Sequence, residues 1–514
     1  MKQPSSKLLL VFTGAFIFNL LFWNEKIGVN AVIFDAFVCT GVLVLYPSSR
    51  SNKIRGWLLV AQTATLALVI IQNTILSKLA LVVTLLLFVS FSEFTHQSVF
   101  FAGGSIITNY VAAVPNVFIE FGNMGGKRIP VSGWIRRFRL FVIPLAILCV
   151  FFAIYASANV VLSNLFNAAL DSVAHWFSNF FSWFSLERIT FFFLGAFIIA
   201  GLLIKSGASW FSDKDMNCHN DLSRKKNRLK KWRETALADL LQLIIGRAAT
   251  GNLALKIEYR IGTASIILLN ILLAFINVLD ISYVWLGYGI DKNIQLSAYV
   301  HEGAGLLILS ILLAMFVLLF FFRGNINFYR KNKWLKYGAY LWILQNTLLV
   351  LSVLCRDYYY ISSLGLAYKR IGLLFFLLMV LTGLITIFLK IYFTKTVYFL
   401  LRVNGWVAVV LLVISSCVNW DVAIARYNLQ HKATIPPDVH FLLSLSDHAL
   451  PVLQKNEDVF QNAASRNTDY FFNNASHSPL EYFNYRKEQF IVKQRQYSWL
   501  SWNVADASVL KKLE

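Results

Sequence analysis

Residues 371–402 read IGLLFFLLMVLTGLITIFLKIYFTKTVYFLLR. The part from Ile371 to Leu389 carries no charged side chain, and a helix of about 20 apolar residues is long enough to cross the hydrocarbon core of a bilayer. Lys390, Lys395 and Arg402 follow it. Such a basic loop is typical of the cytoplasmic side, because Lys and Arg are poorly translocated. This stretch predicts a membrane-spanning helix and the direction in which it runs.

The composition of the whole chain agrees with a membrane protein. Of the 514 residues, 57% are hydrophobic and 14% are charged, whereas a soluble domain has about 45–50% apolar and about 25% charged residues. The formal net charge of +21 could suit nucleic acid. However, basic cytoplasmic loops already account for this charge, so no nucleic-acid partner is predicted. The lipid bilayer and its anionic inner leaflet are the expected partners.

Similar apolar runs recur along the chain and predict an all-α fold, a polytopic transmembrane helix bundle of about eleven spans. The first run is interpreted as a retained span, because it lacks the small-residue cleavage site of a signal peptide. The predicted spans are residues 7–23, 28–46, 56–73, 79–93, 140–157, 189–205, 261–279, 300–322, 337–354, 371–390 and 403–419.

Every second gap between these runs is rich in Lys and Arg, which places the N-terminus in the cytoplasm and the C-terminus in the periplasm. The chain is therefore expected in a bacterial inner (cytoplasmic) membrane. The basic gaps contain Arg50, Lys53 and Arg55; Lys127, Arg128, Arg136, Arg137 and Arg139; Arg224, Lys225, Lys226, Arg228, Lys230, Lys231 and Arg233; Arg323, Arg330, Lys331, Lys333 and Lys336; and Lys390, Lys395 and Arg402.

Residues 98–119 are apolar but are predicted not to cross the membrane. Gly103, Gly104, Asn109 and Pro115 weaken a lipid-facing helix there. If this segment crossed, the basic residues that follow it would lie outside, against the rule that the other loops obey. We expect it at the membrane interface or re-entrant against the bundle.

This predicted membrane topology divides the chain into four regions. Residues 1–205 hold the N-terminal transmembrane helices, 206–260 form a basic cytoplasmic loop, 261–419 hold the C-terminal transmembrane helices, and 420–514 form a small helical periplasmic tail. The basic loop contains an amphipathic stretch, and Arg224 to Arg233 either bind anionic inner-leaflet lipids or form a solvated loop that only directs threading.

The tail is expected to contain an amphipathic helix over residues 479–496. Its aromatic side chains could fill a small core or rest on the membrane interface, where Trp and Tyr are enriched. The residues concerned are Tyr482, Phe483, Tyr485, Phe490, Trp499 and Trp502.

Polar residues inside the spans are few. Asp35 is the clearest ionisable one, and Asn270, Asn277, Gln345 and Asn346 are uncharged. Proton-driven carriers usually keep charged residues near mid-membrane, so this scarcity argues against a carrier. The amides are expected to form hydrogen bonds between helices.

Charged groups gather instead at the predicted periplasmic helix ends, where Asp280 also ends the seventh span. They could converge on a pocket in which Arg and Lys hold a phosphate or carboxylate and His301 or Glu302 acts as acid or base. Alternatively, they form salt bridges, Glu302 with Arg356 or Arg370. The candidate cluster is His301, Glu302, Arg356, Asp357, Tyr360, Lys369, Arg370 and Asp421.

No motif for a known catalytic centre accompanies this cluster. His175, His219, His431 and His448 lack metal-ligand spacing, and the chain has neither a P-loop nor a G-x-S-x-G sequence. No cofactor and no metal ion are predicted.

Residues from about 255 to 455 resemble a bacterial family of polytopic membrane proteins, domain of unknown function forty-one-fifty-three (DUF4153), and its relative forty-one-seventy-three. Three segments carry the resemblance: ILLAFINVLDISYVWLGYG (271–289), SAYVHEGAGLLILSILLA (297–314) and RDYYYISSLGLAYKRIGLLFFLLMVLTGLITIFLKI (356–391). The residues that match the family's motifs are Tyr299, Val300, His301, Gly303, Arg356, Tyr360, Gly365, Leu366 and Arg370.

The match to the family departs at two positions, where Leu364 and Ala367 replace the usual Tyr and Thr. The resemblance implies a helical membrane fold but no biochemical activity. Two functions remain open. The first is a scaffold, sensor or accessory subunit of the cell envelope that is not an enzyme. The alternative is a membrane-embedded enzyme or transporter for an anionic or lipid-linked substrate at the periplasmic face.

Overall fold

The computed structural model describes residues 4–47, 53–123, 148, 164, 185–223, 254–286, 296–322, 325–464, 470–472 and 475–514. The predicted span 140–157, the basic residues Lys127 to Arg139 and Arg224 to Arg233, and the amphipathic stretch after them therefore lie outside the described residues, apart from position 148.

The described chain is almost entirely helical, as the apolar runs predicted. A two-stranded antiparallel sheet, β1 (Tyr470–Phe472) and β2 (Ala475–His477), is the exception. In chain order, the described α-helices are α1 (Pro4–Phe22), α2 (Val29–Leu45), α3 (Lys53–Gln72), α4 (Ile75–Glu93), α5 (Val99–Val111), α6 (Ala113–Asn123), α7 (Leu186–Leu203), α8 (Trp210–Asn217), α9 (Ala254–Asp280), α10 (Leu296–Phe321), α11 (Lys333–Leu364), α12 (Tyr368–Tyr392), α13 (Val397–Ser415), α14 (Trp420–Gln430), α15 (Val439–Ser444), α16 (Leu450–Gln454), α17 (Glu457–Ala464), α18 (Pro479–Gln496) and α19 (Val504–Leu513).

Seven of the described helices are long and apolar enough to cross a membrane, and eight if the bent pair α5–α6 counts as one span. The chain is therefore a multi-pass membrane protein. Each predicted span except 140–157 coincides with a described helix. In α1, α2 and α10, the apolar stretches whose side chains are described, Lys7–Phe22, Val29–Leu45 and Gly305–Phe321, have 10–17 residues and are not counted among the seven. The count of about eleven and the orientation of the termini stay predictions. The seven are α3, α4, α7, α9, α11, α12 and α13.

The chain divides into two compact units. Unit 1 comprises Met1–Gln97, Phe101–Asp215 and Lys493–Ala507, and unit 2 comprises Ser98–Phe100, Met216–Val492 and Ser508–Glu514. Within each unit, contacts between helix termini define two ends, which are described separately below.

In unit 1, the end at which α1 begins is called its near end. Helix α7 packs antiparallel to α1, because Arg188 at the start of α7 donates from Nε to Asn19 Oδ1 near the end of α1 at 3.1 Å. At the near end, the Tyr46 hydroxyl donates to the Leu203 carbonyl at 2.9 Å, and Lys205 Nζ donates to the Glu93 carbonyl at 2.7 Å. Helices α2, α4 and α7 therefore all finish there.

The bent pair α5–α6 both begins and ends at the near end of unit 1. It starts just after Glu93, turns by 56°, and finishes where Glu120 Oε1 lies 3.1 Å from Lys7 Nζ in the first turns of α1. Close to the bend between α5 and α6, the Tyr110 hydroxyl donates to the Ile198 carbonyl at 3.4 Å. Ile198 lies near the C-terminal end of α7, so the bend also lies towards the near end.

In unit 2, the end at which α9 begins is called its near end, and the other its far end. Helices α9 to α13 enclose an apolar core that includes Ile311, Leu335, Leu349 and Val353. At the near end, the buried Lys390 donates from Nζ to the Phe322 carbonyl at 2.7 Å. A cation at the C-terminus of α10 satisfies an orphan carbonyl and complements the helix dipole.

The C-terminal helices of unit 2 form a packed cap at its far end. Helix α18 covers the residues predicted as a helix, and Phe483 stacks on Phe460 with ring centroids 5.5 Å apart and both side chains fully buried. Ile371 in the first turn of α12 belongs to the same core. The segment around Trp499 and Trp502 belongs to unit 1, where Val29 N donates to the Trp502 carbonyl at 3.1 Å.

The aromatic residues of the tail divide between the core and the exposed surface, and the predicted location at the membrane interface stays a prediction. Phe483 and Phe490 are buried in the core, whereas Trp499 and Trp502 are 68% and 52% exposed, and Tyr485 is also exposed.

Candidate functional site

The predicted cluster lies at the far end of unit 2, and its central contact is a buried ion pair. Arg356 Nη2 donates to Asp280 Oδ1 at 2.6 Å, and the Ser352 hydroxyl donates to Asp280 Oδ2, also at 2.6 Å. Arg356 and Asp280 are only 6% and 8% exposed. Because burial removes both charges from water, each depends on the other for stability.

Arg370 is held by the loop between α11 and α12. Its Nη1 donates to the Gly365 carbonyl, and its guanidinium lies 4.2 Å from the centroid of the Tyr360 ring. Such a cation–π contact further stabilises the charge. The described contacts of Arg370 are therefore with its own loop and helix α11.

The same loop is fastened to the tail by Asn428 of α14. Its Oδ1 accepts from Leu366 N at 2.6 Å, and its Nδ2 donates to the Leu366 carbonyl at 3.0 Å. Next to this contact, the Tyr368 hydroxyl donates to Asp421 Oδ1. The loop and tail therefore close over the ends of α11 and α12.

Asp357 differs from these paired groups. It is 3% exposed, and among the described residues its Oδ2 has no hydrogen-bond partner. Lys369 is exposed. His301 and Glu302 lie in the first turns of α10, but their side chains are outside the described part of the structure, so the pairing of Glu302 with Arg356 or Arg370 stays a prediction. The acidic partner that the structure gives Arg356 is Asp280.

Three of the predicted polar residues within the spans, Asp35, Asn270 and Asn277, join helices to one another, whereas Asn346 bonds within its own helix. Gln62 Nε2 on α3 donates to Asp35 Oδ1 on α2 at 2.5 Å, and Asn270 and Asn277 on α9 donate to the Gly338 and Gln345 carbonyls on α11 at 3.0 and 3.2 Å. Asn346 donates to the Trp342 carbonyl in its own helix at 2.7 Å.

Unit 1 contains a second polar cluster, at its near end, that the sequence did not single out. The side chains of His96, Ser105 and Asp215 form a hydrogen-bonded chain, and beside it Asn109 Nδ2 donates to Glu93 Oε2. Ser206 N also donates to Asn109 Oδ1 at 2.9 Å. The sequence feature that could have indicated this cluster is the polar segment SEFTHQS (92–98), which directly follows an apolar run.

Within the described residues, no group of three or more His, Cys, Asp or Glu side chains is arranged to hold a metal ion. The chemistry that the two clusters offer therefore comes from their hydrogen bonds and charges.

One comparison with known proteins finds a match. The family model described as "Domain of unknown function (DUF4153)" covers residues 36–456, more than four-fifths of the 514 residues. This confirms the resemblance seen in the sequence and extends it into the N-terminal helices. No curated protein and no solved structure matches the chain.

Proposed function

This chain belongs to the DUF4153 family, and on that premise we propose that it is a scaffold or accessory subunit of the bacterial inner membrane that presents its C-terminal tail to an envelope protein. If the protein acts as a sensor, the same tail is the surface that binds the signal. The proposal concerns the far end of unit 2 and the tail.

The orientation follows from the charges. The near end of unit 1 carries Lys7, Arg55 and Lys205, and the near end of unit 2 carries Lys390 and Lys395. The positive-inside rule favours the cytoplasm for both near ends. The far end of unit 2 and the tail then face the periplasm.

The observation that carries the proposal is the Asp280–Arg356 ion pair. An anion-binding pocket needs a cation directed at the ligand, whereas Arg356 is committed to Asp280 at 2.6 Å and Arg370 to the Gly365 carbonyl. The engagement of both arginines inside the protein supports a structural role for the far end.

The tail supplies the surface for a partner. It has its own apolar core, so its shape does not depend on being bound, and it exposes Tyr485, Trp499 and Trp502. Aromatic residues of this kind are enriched where proteins bind one another.

In-cell photo-crosslinking tests the proposal. A benzophenone amino acid is placed at Tyr485 and, separately, at Trp499, with Leu306, which is 70% exposed on an apolar helix, as the lipid-facing control. We expect a protein to be crosslinked from Tyr485, in the unit 2 part of the tail, and from Trp499, in its unit 1 part, and not from Leu306. No protein adduct from either tail position, at normal abundance, would contradict the proposal.

A second function is favoured by one observation: Asp357 is buried, and its Oδ2 has no hydrogen-bond partner among the described residues. Such a group suits an enzyme or transporter that handles an anionic or lipid-linked substrate, where it would act as a proton acceptor. Asp357→Asn discriminates the two: normal abundance with lost cellular function supports this second role, and normal abundance with normal function excludes it.

A further inference from the structure

We infer that Ser105, His96 and Asp215 form a nucleophilic triad at the near end of unit 1 that cleaves acyl esters of apolar acids. This goes beyond the proposed function, which concerns unit 2 and the tail, and does not depend on it.

The three side chains have the connectivity that activates a serine. His96 Nε2 lies 2.9 Å from Ser105 Oγ, and His96 Nδ1 lies 3.1 Å from Asp215 Oδ2. These separations are within hydrogen-bond reach, as nucleophile, base and orienting acid require. The residues come from three segments: the loop after α4, helix α5 and helix α8.

The proposed reaction requires an ionised Asp215 and a neutral His96, and these states assign the hydrogen-bond roles. An ionised carboxylate only accepts hydrogen bonds, so His96 donates from Nδ1 to Asp215. In the neutral imidazole Nε2 is then the acceptor, and the Ser105 hydroxyl donates to it. His96 is therefore in the tautomer that can remove the Ser105 proton.

Asp215 is held in place for this task. Its Oδ2 also accepts from Gln97 N at 2.7 Å, the backbone amide next to His96, so acid and base are fixed to the same stretch of chain. Asp215 is completely buried, and exclusion of water strengthens its interaction with an imidazolium.

Asn109 is placed to stabilise the oxyanion. It lies four residues after Ser105 on the same face of α5, where helix neighbours meet. A side-chain amide has two N–H groups, so Asn109 can donate one to Glu93, as observed, and one to a developing oxyanion.

The surroundings indicate the substrate class and the route of access. The rings of Phe91 and Phe94 lie 5.8 and 5.9 Å from the His96 ring, which suits an apolar acyl chain. Ser105 is 1% exposed, and Phe211 of α8 covers the neighbouring Gly104, where a Cβ atom would lie 2.6 Å from the ring. In the proposed mechanism, displacement of Phe211 from Gly104 opens the route to the adjoining Ser105.

The reaction balances without a cofactor. Ser105 Oγ bonds to the acyl carbon while its proton passes to His96 Nε2, and that proton then leaves with the alkoxide of the ester as an alcohol. Water next attacks the acyl-serine, again losing its proton to His96, which returns it to Ser105 Oγ as the free acid departs.

The test is labelling of the purified full-length protein in detergent with an alkyl fluorophosphonate. We expect the wild type to be labelled at Ser105, as mapped by peptide mass spectrometry, and Phe211→Ala to be labelled at least about 10-fold faster because the covering ring is gone. Ser105→Ala should lose labelling completely. Ser90→Ala, which removes another buried hydroxyl of unit 1, should be labelled like the wild type.

Two further variants separate a catalytic from a merely structural role. Asp215→Asn should keep its elution profile and lose up to ~10⁴-fold in labelling rate, and Asn109→Ala should lose about 10²–10³-fold. The inference is overturned if neither the monodisperse wild type nor monodisperse Phe211→Ala or Phe211→Leu is labelled. It is equally overturned if Ser105→Ala is still labelled, or if Asp215→Asn reacts at the wild-type rate.

Discussion

Asn428 occupies the space that a side chain on Gly365 would need: a Cβ atom there would lie 2.5 Å from Asn428 Oδ1. Gly365 also has φ = +81°, a backbone conformation that favours glycine. The loop between α11 and α12 therefore requires glycine at position 365.

Gly365→Ala is expected to destabilise the protein by roughly 1–3 kcal/mol, because it combines backbone strain with a clash. Thermal unfolding followed by fluorescence-detected gel filtration measures the change. Gly372→Ala is the matched control, since nothing lies within 4 Å of its Cβ position in α12, and it should be neutral or stabilising. Equal melting temperatures for the two variants would contradict the described loop.

The far-end ion pair gives a second prediction. Arg356→Met leaves Asp280 buried without its counter-charge and should cost about 3–5 kcal/mol, seen as a lower melting temperature. Removing both charges in Asp280→Asn/Arg356→Met should recover much of that loss. Lys369→Met, which changes an exposed residue, should have little effect. If the double variant were no more stable than Arg356→Met, the pairing would be refuted.

A third prediction concerns the contact between α2 and α3. Gln62→Leu removes the donor to Asp35 at 2.5 Å and the acceptor for the Thr84 hydroxyl, also at 2.5 Å. Two buried polar groups lose a partner, so we expect a loss of about 1–3 kcal/mol. Thr63→Ala on the exposed face of α3 is the control. A Gln62→Leu protein as stable as the control would contradict the stabilising role of this contact between α2 and α3.

The folded tail gives a fourth prediction. Phe483→Ala should destabilise the protein by about 3–5 kcal/mol, because it removes a fully buried ring from the core, whereas Tyr485→Ala alters an exposed position on the same helix. Limited proteolysis of the tail measures the difference. Equal cleavage rates in the two variants would mean that the tail does not pack as described.

Helix positions could be predicted from the sequence because membrane residence depends on composition over about 20 residues. Pairings could not. Asp35 stands out in the sequence as an intramembrane acid, but its partner Gln62 depends on how α2 and α3 are rotated. The sequence suggested Glu302 as an acidic partner for Arg356, which stays a prediction. The Asp280 partner was not predicted, because it depends on the position of α9 relative to α11.

The proposed triad at the near end of unit 1 could not be predicted from the sequence for a related reason. His96 and Asp215 are 119 residues apart, and a short helix after α7 brings them together. No local spacing could have revealed it, although the polar segment after α4 marked one side.

The orientation of the protein in the membrane determines which compartment each cluster faces. Thiol labelling of variants that lack the native cysteines tests this orientation most directly. One variant carries Asn123→Cys at the end of α6, and the other carries Glu488→Cys on the exposed face of α18. We predict that a membrane-impermeant maleimide labels position 488 in spheroplasts and position 123 only after the membrane is permeabilised. Labelling of position 123 from outside, or protection of position 488 until permeabilisation, would contradict the account.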